Sequence, residues 1–175
     1  MPKYKKVWVR IKKSKPRRWR RGWRKLPTLG QRALGVGLSL VGVTESGGNN
    51  RGEMVDKIIR ANGGTGPEPW CGDFVAYCYT QAGSTAVTRS WAAVRFLGYL
   101  RGMRVVKHPK PGDIVCFDFD HTGLFVRRDG VGTIVTCEGN TGASGAVSDS
   151  VTGGDGVYMK RRRVENVSRY VRVLR

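Results

Sequence analysis

Cys71 has the surroundings that nucleophilic chemistry requires. It follows Trp70 and precedes a run over 74–82 in which apolar residues recur at three and four positions before Gly83. This periodicity predicts a helix over 71–82 that ends at the glycine, so that Cys71 lies in the first turn. Unpaired backbone N–H groups and the positive end of the helix dipole favour a thiolate there. The sequence therefore predicts that Cys71 is a nucleophile.

His121 is the better of the two histidines that could accept and return a proton near neutral pH. His108 lies in a proline-flanked connector, whereas His121 follows a predicted strand over 114–119. A histidine at a strand edge can face the N-terminus of a helix that packs on the sheet, which is how unrelated cysteine hydrolases assemble a pair from distant parts of the sequence. We therefore expect His121 to be the general base and acid for Cys71.

Glu138 and Asn140 end the next predicted strand and are suited to hold the imidazole ring. Side chains two positions apart in a strand point to the same face. One of the two would then orient the ring while the other positions it or assists in binding an oxyanion. We predict that Glu138 is the residue that orients His121.

The remaining cysteines, Cys78, Cys116 and Cys137, fall inside predicted helix and strand patterns, where a thiol is usually a small buried group. No pair has the C-x-x-C spacing that is typical of zinc ribbons and thioredoxin-like sites. We expect these thiols to be unpaired. Asp118 and Asp120 lack the second histidine that would complete a metal site, so we interpret them as solvated turn residues.

These residues resemble the CHAP domains (cysteine, histidine-dependent amidohydrolases/peptidases) of phage lysins and bacterial cell-wall hydrolases. The resemblance covers nearly everything beyond residue 28. It is carried by the stretch 33–41, the stretch 43–52, the Trp70-Cys71 motif, the stretch 111–115, His121 and the stretch 138–140.

The resemblance implies hydrolysis of peptidoglycan amides. Carried over by motif, Cys71 is the nucleophile, His121 is the general base and acid, Glu138 orients the histidine, and Asn140 is an auxiliary polar residue. The resemblance leaves open whether the enzyme is an amidase or an endopeptidase.

Some members of the family also hold a calcium ion just before the cysteine. In this chain that region contains Glu68 and Asp73 as its only carboxylates. Calcium prefers six or more oxygen ligands and usually several charges. We therefore expect no cofactor and no metal, with calcium as the one candidate that the resemblance raises.

The order of the predicted elements, helices first and strands afterwards, is typical of an α+β fold. With the resemblance it implies a papain-like fold in which N-terminal helices pack on an antiparallel sheet. The helices are predicted over 29–41, 51–62, 71–82 and 91–101. The strands are predicted over 114–119, 122–127, 133–137, 157–163 and 170–173. A loop rich in glycine, serine and threonine over 142–156 would border the substrate groove. We expect a catalytic domain over 29–175.

The first 25 residues contain 13 lysines and arginines, three tryptophans and no acidic residue, and they supply +13 of the net charge of +19. So charged a segment cannot bury enough apolar surface to fold alone. We predict that residues 1–28 are a basic arm that binds a polyanion: an anionic wall polymer, a membrane surface or nucleic acid. The alternation over 7–12 also fits an edge strand that docks onto a protein of the virion.

Localisation and function follow from these features as expectations. The longest apolar run, 33–43, is too short to cross a bilayer, and no A-x-A-like site indicates a secretory signal. We expect a phage-encoded peptidoglycan hydrolase, made in the host cytoplasm, that acts at the bacterial cell wall either at lysis or as part of the virion. The alternatives are a virion structural or nucleic-acid-binding protein with a secondary or inactive hydrolase core, and a cationic membrane-active segment fused to the enzyme.

Overall fold

The computed structural model describes residues 26–84, 86–87, 102–143 and 154–174. Within these residues, three helices precede six strands and one 3₁₀ turn. The helices are α1 (Leu29–Ser39), α2 (Glu53–Ala61) and α3 (Cys71–Gln81), and the 3₁₀ turn is Val164–Asn166. The strands are β1 (Met103–Val106), β2 (Ile114–Phe117), β3 (Thr122–Arg128), β4 (Thr133–Thr141), β5 (Gly156–Arg163) and β6 (Val167–Val173).

Local sequence explains where α1 begins. The Thr28 hydroxyl accepts a hydrogen bond from the Gln31 N–H at 3.2 Å, and the Gln31 side chain accepts one from the Thr28 N–H at 2.9 Å. This capping box satisfies two N–H groups that would otherwise lack partners at the helix start. The helix ends at Ser39, and the turn that follows contains Gly42, whose φ of 93° suits a glycine.

The strands form one antiparallel sheet in the order β1-β6-β2-β3-β4-β5. Side chains alternate between its faces. In β2, Ile114 and Cys116 belong to the core shared with the helices, whereas Val115 and Phe117 belong to a second apolar cluster with Phe125. Both faces of the sheet are therefore buried at its centre, which gives the interior room for buried polar groups.

The α+β architecture expected from the sequence is confirmed, with helices α1 to α3 close to their predicted bounds. The sequence missed β1. The strand predicted over 133–137, with Glu138 and Asn140 at its end, is β4 and continues through Thr141. The predicted helix over 91–101, most of the predicted loop over 142–156 and the first 25 residues lie outside the described residues. Within the described parts of the chain, every helix is too short or too polar to span a lipid bilayer.

The start of α1 rests directly on the turn before β2. Gly112 has a φ of 89°, and a Cβ atom added there would collide with the backbone carbonyl of Gly30. The Gly112 carbonyl also accepts a hydrogen bond from the buried Tyr79 hydroxyl of α3 at 2.6 Å. Through these two contacts, Gly112 joins α1 and α3 to the sheet.

We predict that Gly112→Ala destabilises the fold by about 3 kcal/mol or more, because both the backbone conformation and the close approach exclude a side chain. Gly35→Ala is the control, since that glycine lies in α1 with nothing within 4 Å of the added atom. The control should be neutral or stabilising by up to about 1 kcal/mol. Urea unfolding of both variants measures the difference, and equal stabilities would contradict the prediction.

Candidate active site

The structure brings Cys71, His121 and Glu138 together from three elements. Cys71 is the first residue of α3, His121 immediately precedes β3, and Glu138 lies in β4. The exposed fractions of these residues are 3%, 1% and 0%. The Nε2 atom of His121 lies 2.8 Å from a carboxylate oxygen of Glu138. The thiol of Cys71 also interacts with the imidazole ring and helps to raise the pKa of His121. Because Nε2 faces the carboxylate, Nδ1 is the atom that remains for the sulfur.

Electrostatics favour a charged imidazole in this pair. Burial by itself would lower the pKa of His121, but the Glu138 carboxylate and the hydrogen bonds to Cys71 and Glu138 outweigh it and raise that pKa to about 9. Burial would conversely raise the pKa of Glu138, yet His121 and Arg162 lower it to about 2. The site therefore holds an imidazolium beside a carboxylate across neutral pH.

Arg162 is a member of this cluster that the sequence analysis missed. It lies in β5, is fully buried, and forms an ion pair with Glu138 at 2.6 Å. The sequence around it is a run of basic residues, and the neighbouring Arg161 and Arg163 are exposed. The period of two in a strand was the available signal, but it does not tell which of the two faces is buried.

Asn140 contacts the backbone next to Cys71. It sits in a bulge of β4, between Glu138 and Thr141, with a φ of 55°. In the amide orientation that satisfies both neighbours, its oxygen accepts from the Trp70 N–H at 3.1 Å and its nitrogen donates to the Gly154 carbonyl at 2.8 Å. The bulge breaks the simple alternation from which we expected Asn140 to point with Glu138. Its contact is with the residue that precedes Cys71.

Trp70 is also held through its side chain. The indole N–H donates to one carboxylate oxygen of Glu45 at 2.9 Å, and the other oxygen accepts from the Asn50 N–H at 2.8 Å. On the sheet side, a Cβ atom at Gly139 would lie 2.6 Å from Phe74 and 2.8 Å from Trp70. The start of α3 is therefore fixed by packing against β4 and by hydrogen bonds to Trp70.

The other candidates remain outside this cluster. Asp118, Asp120 and His108 are exposed, as we expected for residues of a solvated turn and of a connector. Cys78, Cys116 and Cys137 are buried and free. Among the described residues, no group of three or more His, Cys, Asp or Glu side chains is placed to hold a metal ion.

Comparison with known proteins agrees with this geometry. A family model described as CHAP domain matches residues 62–140, a range that contains Cys71, His121, Glu138 and Asn140. No curated protein matches the sequence. Among solved structures, the chain is similar to the wild-type endolysin LysIME-EF1, with a TM-score of 0.52 and 15% sequence identity over 85% of this chain. It spans 65% of the length of that endolysin. At this identity the similarity is one of fold.

We predict a stability that depends on the charge of His121. A raised histidine pKa contributes stability that is complete below about pH 6.5 and is lost as pH rises toward about 9. The loss should be on the order of 1 to 3 kcal/mol. Urea unfolding between pH 6 and 9 should therefore show a decline in wild type that His121→Gln lacks. His108→Gln, at an exposed histidine, should keep the decline, and a decline of equal size in His121→Gln would contradict the prediction.

Proposed function

We propose that this protein is a peptidoglycan hydrolase that cleaves an amide bond with Cys71 as nucleophile, because residues 62–140 match the family model described as CHAP domain. The observation that carries the proposal is the His121 ring, held between the thiol of Cys71 and the carboxylate of Glu138. This is the arrangement of nucleophile, base and orienting group that acyl transfer requires.

In the proposed reaction, the thiolate of Cys71 attacks the carbonyl carbon of the scissile amide. Backbone N–H groups of the first turn of α3 lack intrahelical acceptors and would stabilise the oxyanion that forms. His121 then donates its proton to the leaving amine, and the acyl group remains on the sulfur. His121 next accepts a proton from water, whose oxygen attacks the thioester carbonyl, breaks the C–S bond and releases the carboxylic acid, which restores the thiolate and the imidazolium. Glu138 stabilises the imidazolium whenever the ring is protonated.

Asn140 contributes by holding the backbone N–H of Trp70 and thereby the position of Cys71. The proposal covers both amidase and endopeptidase cleavage, because the two differ in which stem-peptide or muramate groups lie beside the carbonyl. It requires no metal or other cofactor. As a cellular setting we propose a phage-encoded enzyme that acts at the bacterial cell wall, either as a free lysin or as part of the virion.

We predict that Cys71→Ala and His121→Ala each reduce peptidoglycan hydrolysis by about a thousandfold or more, because one removes the nucleophile and the other the proton carrier. Glu138→Gln should reduce it less completely. The measurement is mass spectrometry of fragments released from purified peptidoglycan. The new termini also distinguish an amidase from an endopeptidase.

Cys116→Ala provides the matched control for this series, because Cys116 is also a buried free thiol but lies in β2. It should retain most of the activity. Full hydrolysis by Cys71→Ala would overturn the mechanism. Release of no fragments by wild type from several wall chemotypes would overturn the assignment of substrate.

A second candidate function is favoured by the charge of the basic arm, residues 1–28. Its first 25 residues carry +13, against +6 for the other 150 residues. Lysines and arginines in such a cluster displace counterions from a polyanion, so binding weakens steeply with salt. We propose that the arm binds a polyanion, either an anionic wall polymer that localises the enzyme or nucleic acid in a virion component.

We predict that deletion of residues 1–25 abolishes salt-sensitive retention on DNA or teichoic acid columns while leaving the hydrolase fold intact. Retention of wild type should fall by about tenfold or more between 50 and 200 mM salt. Comparing the two columns identifies the preferred polyanion. Unchanged retention after the deletion would contradict a binding role for the arm.

A further inference from the structure

The buried guanidinium of Arg162 contacts both oxygens of the Glu138 carboxylate. Its Nε atom donates to one oxygen at 3.0 Å and an Nη atom donates to the other at 2.6 Å. The first oxygen also accepts from the Thr136 hydroxyl, and the second accepts from His121. All four strong acceptor positions of the carboxylate are therefore occupied. Such a two-pronged contact fixes the plane of a carboxylate as well as its charge.

The rings of Phe117 and Phe119 pack against both the guanidinium of Arg162 and the imidazole of His121. The central carbon of Arg162 lies 5.3 Å from the ring centre of Phe117 and 5.5 Å from that of Phe119. The same two rings stack on His121, with centroid separations of 5.9 and 6.1 Å. Both phenylalanines lie within or beside the turn that joins β2 to β3, where the Phe117 N–H donates to the His121 carbonyl at 3.2 Å. A shift of Arg162 would therefore disturb rings that also contact His121.

We propose that Arg162 is a positioning residue that locks the Glu138 carboxylate in the orientation from which it orients His121. Its role in hydrolysis rests on the proposed function. Its role in setting the state of the Cys71 and His121 pair does not. A glutamate side chain has several rotatable bonds, and β4 fixes only its first atoms. Arg162 of β5 fixes the other end of the side chain, the carboxylate.

The charges around Glu138 determine what the loss of Arg162 would do. The titratable groups that interact with the carboxylate are His121, Arg162, Lys160 and the neighbouring Cys137, while Cys71 interacts with His121. The ammonium of Lys160 donates to the Gly142 carbonyl at 2.8 Å. Arg162 lowers the pKa of Glu138. Without that charge the carboxyl binds a proton at higher pH, and the protonated carboxyl no longer stabilises the imidazolium of His121 beside Cys71.

The test compares Arg162→Met, Arg162→Lys and wild type. The lysine variant retains the charge but loses the two-pronged contact. Arg163→Met is the matched control, because Arg163 is the next residue of β5 and its 3.3 Å ion pair with Glu165 is exposed. The readout is the rate at which iodoacetamide alkylates Cys71 between pH 4 and 9, followed by mass spectrometry of the Cys71 peptide. This readout needs no cell-wall substrate.

We expect the acidic limb of the alkylation profile to move to higher pH in Arg162→Met, so that the rate near pH 5 falls about 10- to 100-fold. Arg162→Lys should show a smaller pH shift but a lower kcat for hydrolysis, with KM little changed. Arg163→Met should match wild type. A purely structural role would lower the melting temperature without moving the profile.

Wild-type alkylation profiles in Arg162→Met and Arg162→Lys would overturn the proposal, provided circular dichroism shows that both fold. If only Arg162→Lys folds, the test is its kcat for hydrolysis and its alkylation profile. Wild-type values of both quantities in that variant would overturn the proposal. If wild type cleaves no peptidoglycan but Arg162→Met still shifts the alkylation profile, the proposed function fails while the positioning role stands.

Discussion

The carboxylate of Glu138 is the group on which the rest of the site depends. It is fully buried, and burying an isolated carboxylate costs several kcal/mol even after relaxation. The fold offsets that cost with partners from three strands: Thr136 on its own strand, Arg162 on β5 and His121 at the start of β3. Removing any one partner leaves a charge that the interior cannot solvate. The site therefore depends on the antiparallel order of β3, β4 and β5, because that order brings Glu138 and its charged partners together.

Cys71 is positioned by a separate set of contacts. α3 is buried along most of its length and packs on β4, where Gly139 lets the helix come close. Trp70 is bound through its indole by Glu45 and through its backbone by Asn140. One set of contacts thus holds the start of α3 with Cys71, and a different set holds the imidazole of His121. A thiol and a ring supported this way keep their geometry with little reorganisation, which is what acyl transfer demands.

Much of the architecture could be read from local patterns. The helix at Cys71 and the strands beside His121 and before Glu138 have strong periodicity and clear breakers, so their types and approximate bounds were predictable. The strand β1 was missed because its four residues are too few to show alternation. The sequence placed Glu138 and Asn140 at the end of this strand but missed the bulge between Glu138 and Thr141, because that extra residue is set by the pairing of β4 with β5.

The sequence by itself singled out Cys71 and His121 as the candidate nucleophile and proton carrier, because helix-start position and histidine scarcity are local properties that need no contacts. It also determined the large positive charge of residues 1–28. Only the tertiary structure decided that Arg162, among several adjacent arginines, is the buried partner of Glu138, and that Asn140 serves Trp70. The physical reason is that these roles depend on which face of β5 is covered and on one extra residue in β4. Both are set by pairing between distant strands, which one-dimensional periodicity cannot encode.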